Sequence, residues 1–284
     1  MPRIVAILPF LITLAAPAQY APANAQWNRP IEPFRIAGNI FYVGASDVSA
    51  FLITTPEGHI LLDAGFAETV PIVEAGIRKL GFRVEDIRLL LASHAHYDHA
   101  GGMAKTKAMT KARFLTHPKE VAMFARGGKG DFAFGDKYAF EPVAHDGTFR
   151  DGEQLRLGDV VLTAQFTPGH TRGCTSYTTA VSHQGRIYNV VFACSMTGPD
   201  YQFVGNRQYP EIAGDFESSF ARLRSLPCDI FLGGHSWDFG LEAKRKALQT
   251  GAGGNPFVDP AGYRAWVDKS EAAFRKRLEA QRHP

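Results

Sequence analysis

Ser93-His94-Ala95-His96-Tyr97-Asp98-His99-Ala100-Gly101-Gly102 directly follows the apolar run 87–92. Three histidines and an aspartate crowd into positions 94–99. Imidazole and carboxylate are the groups zinc takes when thiolates are absent. The apolar run reads as a buried strand, so the motif sits where a strand gives way to a loop. In an extended segment His94 and His96, two residues apart, face the same way. Asp98 and His99 follow at the turn into a helix and point to a neighbouring position. One cluster therefore offers ligands to two metal positions, and each needs more.

Two later stretches occupy the same kind of place. Thr167-Pro168-Gly169-His170-Thr171 ends a strand expected over 160–166, and Gly233-Gly234-His235 ends one over 229–233. Either histidine alone would be unremarked; jointly they are candidate ligands. Further strands are expected over 34–43, 50–55, 59–63 and 112–115, then over 148–151, 153–157, 174–181 and 187–193. Val73, Ile77 and Leu80 give 70–80 helical spacing, closed by Gly81. Helices are also expected over 101–109, 118–124, 212–226, 241–248 and 262–281. Segment 126–144 has no period and reads as a long loop, a length that usually carries function. Asp63, the His94 cluster, His170, Ser195 and His235 all fall at strand ends. This points to two β-rich sheets face to face, helices outside, and one edge where loops converge.

A chain of 284 residues, 45% of them hydrophobic, fits one large domain or two small ones and can fill a sizeable core. A formal net charge of +3 without a lysine or arginine tract argues against a nucleic-acid partner. Arg3, the apolar stretch 4–16 and Ala23-Asn24-Ala25 read as a signal peptide over residues 1–25, the other reading being an uncleaved anchor, with 26–284 expected as a single mature domain. Export predicts a periplasmic protein without stable membrane association after cleavage; a monomer is the expectation, although the sequence does not give the oligomeric state. Cys174, Cys194 and Cys228 form no CxxC pattern and allow one disulfide; the sequence does not choose the pair.

SHAHYDHAGG at 93–102, PGHT at 168–171 and GGHS at 233–236 resemble the zinc hydrolases of the metallo-β-lactamase superfamily. The resemblance covers nearly all of the mature chain. It implies an α/β fold, the αββα sandwich of two mixed sheets with helices outside, and two Zn2+ at the sheet edge. It assigns His94, His96 and His170 to one zinc, and Asp98, His99 and His235 to the other. In that family, thioester hydrolases and lactonases carry a bridging aspartate where this chain has Ser195. Serine there, with PGHTRGCTSY and LPCDIFLGGH around the ligands, is most similar to class B subclass three β-lactamases. Cys194 would match the cysteine ligand of the other subclasses only after a register shift. Cys228 matches one half of a disulfide common in subclass three, but 262–281 holds no cysteine to complete it.

The activity this implies is hydrolysis of the β-lactam amide bond by metal-bound hydroxide, and with it resistance to β-lactam antibiotics. The partner would be a small β-lactam molecule. Asp98 would bind metal and orient the hydroxide. Asp63 would accept a histidine N–H; its other reading is a turn aspartate before Ala64-Gly65. Ser195 and Thr197 would meet the substrate carboxylate. Phe132, Phe134, Tyr138 and Phe140 belong to a flap over the site, and Tyr201, Phe203, Asn206 and Tyr209 to a second loop. Aromatics there either stack on substrate or anchor the loops. His59, His117, His145, His183 and His283 read as surface or turn residues. Two other readings stay open: an exported lactone or thioester hydrolase of the same fold, and a zinc-binding protein without catalysis.

Overall fold

The computed structural model describes residues 22–251 and 253–283. Most of the expected signal peptide, at 1–21, lies outside the described residues. The first sheet begins as an antiparallel meander of β1 (Phe34–Ala37), β2 (Ile40–Tyr42), β3 (Phe51–Thr55) and β4 (Gly58–Leu62). Helix α1 (Val70–Lys79) carries the chain back, and β5 (Ile87–Leu91) joins β4 in parallel. After α2 (Tyr97–Ala100) and α3 (Met103–Thr110), β6 (Arg113–Thr116) extends the parallel half. Helix α4 (Val121–Ala125) and the long loop then lead to β7 (Gly147–Thr148) at the edge.

The second sheet is β8 (Gln154–Leu157), β9 (Val160–Phe166), β10 (Thr175–His183) and β11 (Arg186–Ala193), all antiparallel. Helix α5 (Ile212–Ser225) returns the chain so that β12 (Ile230–Gly233) lies parallel to β11. Helices α6 (Ser236–Phe239), α7 (Leu241–Thr250) and α8 (Pro260–Arg282) follow. Both sheets are mixed, as expected.

Side-chain alternation sorts the residues of the first sheet into two cores. Phe51, Ile53, Ile60, Leu62, Leu89 and Leu91 pack into the core shared with Leu162, Ala164 and Tyr177 of the second sheet. Leu52, Leu61 and Leu90, on the opposite face, meet Val73 and Ile77 of α1 and Met103 of α3. Burial on both faces explains why β4 and β5 read as nearly continuous apolar runs. On the far side, Phe216 of α5 stacks on Phe274 of α8 at 5.1 Å between ring centroids. The layers are helix, sheet, sheet, helix.

Some local expectations give way. The strand expected over 34–43 is the hairpin β1–β2, because Gly38 takes a left-handed φ of 50° and turns the chain back. The strand expected over 148–151 shrinks to β7, cut short by the turn at Gly152. His59 and His117 are buried rather than on the surface. His59 lies in β4, covered on both faces, with its ring edge-on to Phe82 at 5.2 Å. His117 is satisfied locally, accepting the Lys119 N–H at 2.9 Å. No described helix is long and apolar enough to cross a membrane.

Candidate metal centre

Strands β4, β5, β9, β11 and β12 all end at one edge of the sandwich, and their last residues build the site. After β4, Asp63 adopts a φ of 60°, a conformation uncommon outside glycine. That turn aims its buried carboxylate at the end of β5. Oδ1 accepts the Ser93 N–H at 2.7 Å and Oδ2 accepts the Ser93 hydroxyl at 2.8 Å. His94 and His96 follow in extended backbone, and α2 starts one residue later than His96. Asp98 and His99 therefore stand on its first turn.

His94, His96 and His170 form a triangle with ring centroids 4.7–4.8 Å apart. One nitrogen of each lies within 4.8 Å of the others. Beside it, His99 stacks obliquely 4.4 Å from His94 and edge-on 5.0 Å from His235. Asp98 Oδ2 faces both neighbours, 3.7 Å from His99 Nε2 and 3.6 Å from His235 Nε2. Six residues from three separate stretches of chain thus make two adjoining groups of three.

The outer nitrogen of each imidazole has a polar neighbour. His170 Nδ1 lies 2.6 Å from the Thr197 carbonyl oxygen, and His235 Nδ1 lies 2.9 Å from Asp47 Oδ2. His99 Nδ1 lies 3.3 Å from Asp63 Oδ2. His96 Nε2 lies 3.4 Å from Asp131 Oδ2. Ser93 spends its only hydroxyl proton on Asp63, so it accepts from His94 Nδ1, 3.0 Å away. These contacts set an acceptor beside the outer nitrogen of all five rings, so that each inner nitrogen is the one left to face a metal, the arrangement that metal-bound histidines show.

The inward atoms fit a cation. His94 Nε2 and His99 Nε2 are buried without a hydrogen-bond partner among the described residues. His96 Nδ1 and His170 Nε2 point at each other across 3.0 Å with lone pairs on both. Each buried, unsatisfied nitrogen costs about 1–3 kcal/mol unless something accepts its lone pair. Burial and the surrounding imidazoles hold His94 well below its usual pKa. Burial, then His96, pushes His170 down to about 3, so both rings are neutral and available. Burial works against charge on Asp98 too, but His99, His235 and His96 outweigh it and keep the carboxyl below its usual range. Burial likewise disfavours charge on His99, yet Asp98 and Asp63 lift it to about 9. The Asp98 side of the site calls for positive charge, which a proton or a metal ion can supply.

Two linkages lock the loops together. Glu120, just before α4, is buried; its Oε2 accepts the Ala95 N–H at 3.2 Å and its Oε1 the Gly173 N–H at 2.7 Å. It ties the His94–His96 loop to the segment after His170. Glu120→Ala strands both buried N–H groups and is expected to cost about 2–4 kcal/mol of stability. Urea denaturation would measure this, and a loss under about 1 kcal/mol would contradict the role. The second linkage is a disulfide between Cys174 and Cys194, with Cα atoms 5.9 Å apart. Cys228 is the free thiol.

Ser195 follows the disulfide at the end of β11. Its hydroxyl is buried and unpartnered among the described residues. Gly234 passes so close that a Cβ there would lie 2.9 Å from His99 Cε1 and 3.5 Å from Ser195 Oγ. Glycine before His235 is thus a condition of bringing β12 to the site. Thr197, exposed, gives its carbonyl to His170 and lines the mouth.

The centre opens into a cavity of about 630 Å³. Phe134 and Tyr138 of the long loop line it, facing Trp27 and Trp237. Trp237 stacks on His235 with ring centroids 4.3 Å apart. The other two flap aromatics serve as anchors. Phe132 packs edge-on against Tyr201 and Tyr209, each at 5.0 Å. Phe140 is buried against Phe124 of α4. In the second loop, Tyr201, Phe203 and Tyr209 are buried, and Asn206 Oδ1 accepts the Tyr209 N–H at 2.9 Å. Sequence reasoning passed over Asp47, Ser93, Glu120 and Asp131. Each acts on a ligand or its loop through the folded structure, and only Ser93, adjacent to His94, carried a local signal.

Comparison with known proteins agrees with this geometry. The family model described as Metallo-beta-lactamase superfamily matches residues 43–235. The native FEZ-1 metallo-beta-lactamase from Legionella gormanii is 41% identical, with a TM-score of 0.88 over 90% of this chain and 99% of that one. A class B3 di-zinc metallo-beta-lactamase from an Alaskan soil metagenome is 34% identical, with a TM-score of 0.85 over 91% of this chain and 98% of its own. An N-acyl homoserine lactonase from Agrobacterium fabrum is 30% identical over 160 residues, 46% of this chain and 58% of the lactonase. The chain thus matches little more than half the length of that curated relative.

Proposed function

The chain belongs to the metallo-beta-lactamase superfamily of hydrolases, and from that premise we propose that it opens the amide bond of β-lactams with two zinc ions. Ser195 carries this reading. A small neutral hydroxyl stands just after β11, beside Gly234 and close to His99, where a lactonase or thioester hydrolase of the family is expected to place a bridging carboxylate. The likeness to β-lactamases over nearly their full length supports it.

His94, His96 and His170 would hold one zinc; Asp98, His99 and His235 would hold the other. Bound there, zinc supplies Lewis acidity for the carbonyl oxygen and lowers the pKa of a water towards about 7. The chain's own groups do the rest. The ionised Asp98 carboxylate accepts a hydrogen bond from the attacking water and orients it. The Thr197 and Ser195 hydroxyls donate to the substrate carboxylate. Phe134 and Tyr138 lie over the apolar side of the substrate and exclude bulk water. No side chain is called on as a nucleophile. Residues 1–25 would direct the protein to the periplasm, where β-lactams arrive.

Hydrolysis of a chromogenic cephalosporin by the zinc-loaded protein tests this, with and without chelator. Chelator-sensitive opening is expected, at a higher kcat/KM than for an acyl-homoserine lactone or a thioester. A zinc-replete protein that leaves the cephalosporin intact would sink the reading. The alternative, a lactone or thioester hydrolase, draws on the likeness to the lactonase, and a reversed ranking of substrates would establish it.

A further inference from the structure

Four of the five imidazoles rest their outer nitrogens on the frame that ends the strands: Ser93 after β5, Asp63 after β4, Asp47 after β2, and the Thr197 carbonyl after β11. The fifth is different. His96 rests on Asp131, and Asp131 belongs to the long loop that covers the cavity.

The two oxygens of Asp131 have separate tasks. Oδ1 accepts the N–H groups of Ala133 and Phe134 at 2.8 and 2.9 Å, closing a tight turn. The backbone of Asp131 and Gly135 exchanges hydrogen bonds at 3.1 and 2.9 Å across that turn. Oδ2 takes no part in it. It is buried, lacks a partner among the described residues, and faces His96 Nε2 at 3.4 Å. The same turn brings the Phe134 ring to 5.3 Å from the His96 ring. Meanwhile Tyr138 stacks on Tyr97, beside His96, at 4.3 Å.

We propose that Asp131 is a positioning residue for the metal, through which the covering loop and the site of His94, His96 and His170 are coupled. The inference rests on His96 being a metal ligand. The Asp131 carboxylate holds the His96 N–H on Nε2 and so presents the Nδ1 lone pair inward. A closed loop therefore favours metal binding, and by reciprocity bound metal favours the closed loop. Substrate entry that displaces the loop would loosen one metal and leave the Asp98 site untouched.

Asp131→Asn keeps the turn's acceptor but turns an amide NH2 against the His96 N–H. Zinc titration against a chromophoric chelator should show one of two equivalents weakened by about 10–100-fold, as for other groups that orient metal-bound histidines. The other should stay within about twofold. Asp131→Glu, with the carboxylate on a longer arm, should recover part of the loss. Asp136→Ala serves as the loop control, because Asp136 Oδ1 supports the same loop by accepting the Gly130 N–H at 2.8 Å. It should leave both zinc affinities within about twofold. Amide exchange across 131–136 should slow on adding zinc to the parent but not to Asp131→Asn. Equal zinc binding by parent and Asp131→Asn, or exchange across 131–136 that slows alike with zinc in both, overturns the coupling; a matching loss in Asp136→Ala would show loop closure alone at work and overturn the positioning role of Asp131. A parent that binds no zinc overturns it together with the metal reading beneath it.

Discussion

Asp98→Asn is expected to cut cephalosporin hydrolysis by about 10²–10⁴-fold and to reduce bound zinc from two equivalents towards one. The substitution keeps the shape of the side chain and removes its charge. Asp98 Oδ2 stands 3.7 and 3.6 Å from the Nε2 atoms of His99 and His235. The other carboxylates nearby, Asp63, Asp47 and Asp131, face the outer nitrogens. Asp98 is therefore the inward anion that offsets a second cation, and a neutral amide is a weak substitute. The same carboxylate orients the water in the proposed reaction, so binding and chemistry fail together. Metal analysis of the dialysed variant separates the two effects, because restoring saturating zinc should recover occupancy before it recovers rate. The fold should hold, since the strand ends stay anchored by Asp63, Glu120 and the disulfide. A variant that keeps two zincs and turns over within about tenfold of the parent would remove Asp98 from both roles.

The position of this residue was legible from the chain alone, and the reason is local. His94, His96, Asp98 and His99 lie on one continuous strand-to-helix turn, so their directions follow from backbone periodicity. His170 and His235 were legible for a related reason, each at the end of an apolar run after Gly. The helix-sheet-sheet-helix layering followed from the same runs. What sequence could not show is what holds these groups. Asp47 reaches His235 across 188 positions, and Glu120 reaches Gly173 across 53. Neither belongs to a motif, and either would pass for a solvated charge. Asp131 stood in a segment read only for its aromatics, of which Phe134 and Tyr138 line the cavity while Phe132 and Phe140 anchor the loop. Spacing ties ligands to strands; the partners of the ligands depend on which loops the sandwich brings together.

The cysteines show the same division and set up the second large effect. Sequence left the pair open; the register of β9, β10 and β11 decides it. Cys174 precedes β10 and Cys194 follows β11, and the antiparallel pairing of Tyr177 with Phe192 brings them within one position of facing each other on neighbouring strands. Their Cα separation of 5.9 Å lies in the range that a disulfide spans. Replacing both by serine should cost about 3 kcal/mol, the chain-entropy value for a closed loop of this length. The hairpin does not make the bond redundant, because the bond acts mainly on the unfolded chain, where the hairpin is gone. Nor should burying two serines add much. The Cys194 Sγ lies 3.4 Å from the Ser93 carbonyl oxygen and the Cys174 Sγ 3.5 Å from that of Ser195, so each new hydroxyl has an acceptor in reach. For a domain of this size, the loss corresponds to a fall in Tm of about 6–12 °C. Scanning calorimetry of the zinc-free proteins would read it without interference from metal binding. Zinc should then widen the gap, because Cys194 Sγ also lies 3.6 Å from His94 Nδ1 and adjoins Ser195, so the bond braces the floor of the metal site. A zinc-free Tm within about 2 °C of the parent would mean that the strands, not the bond, hold these loops in register.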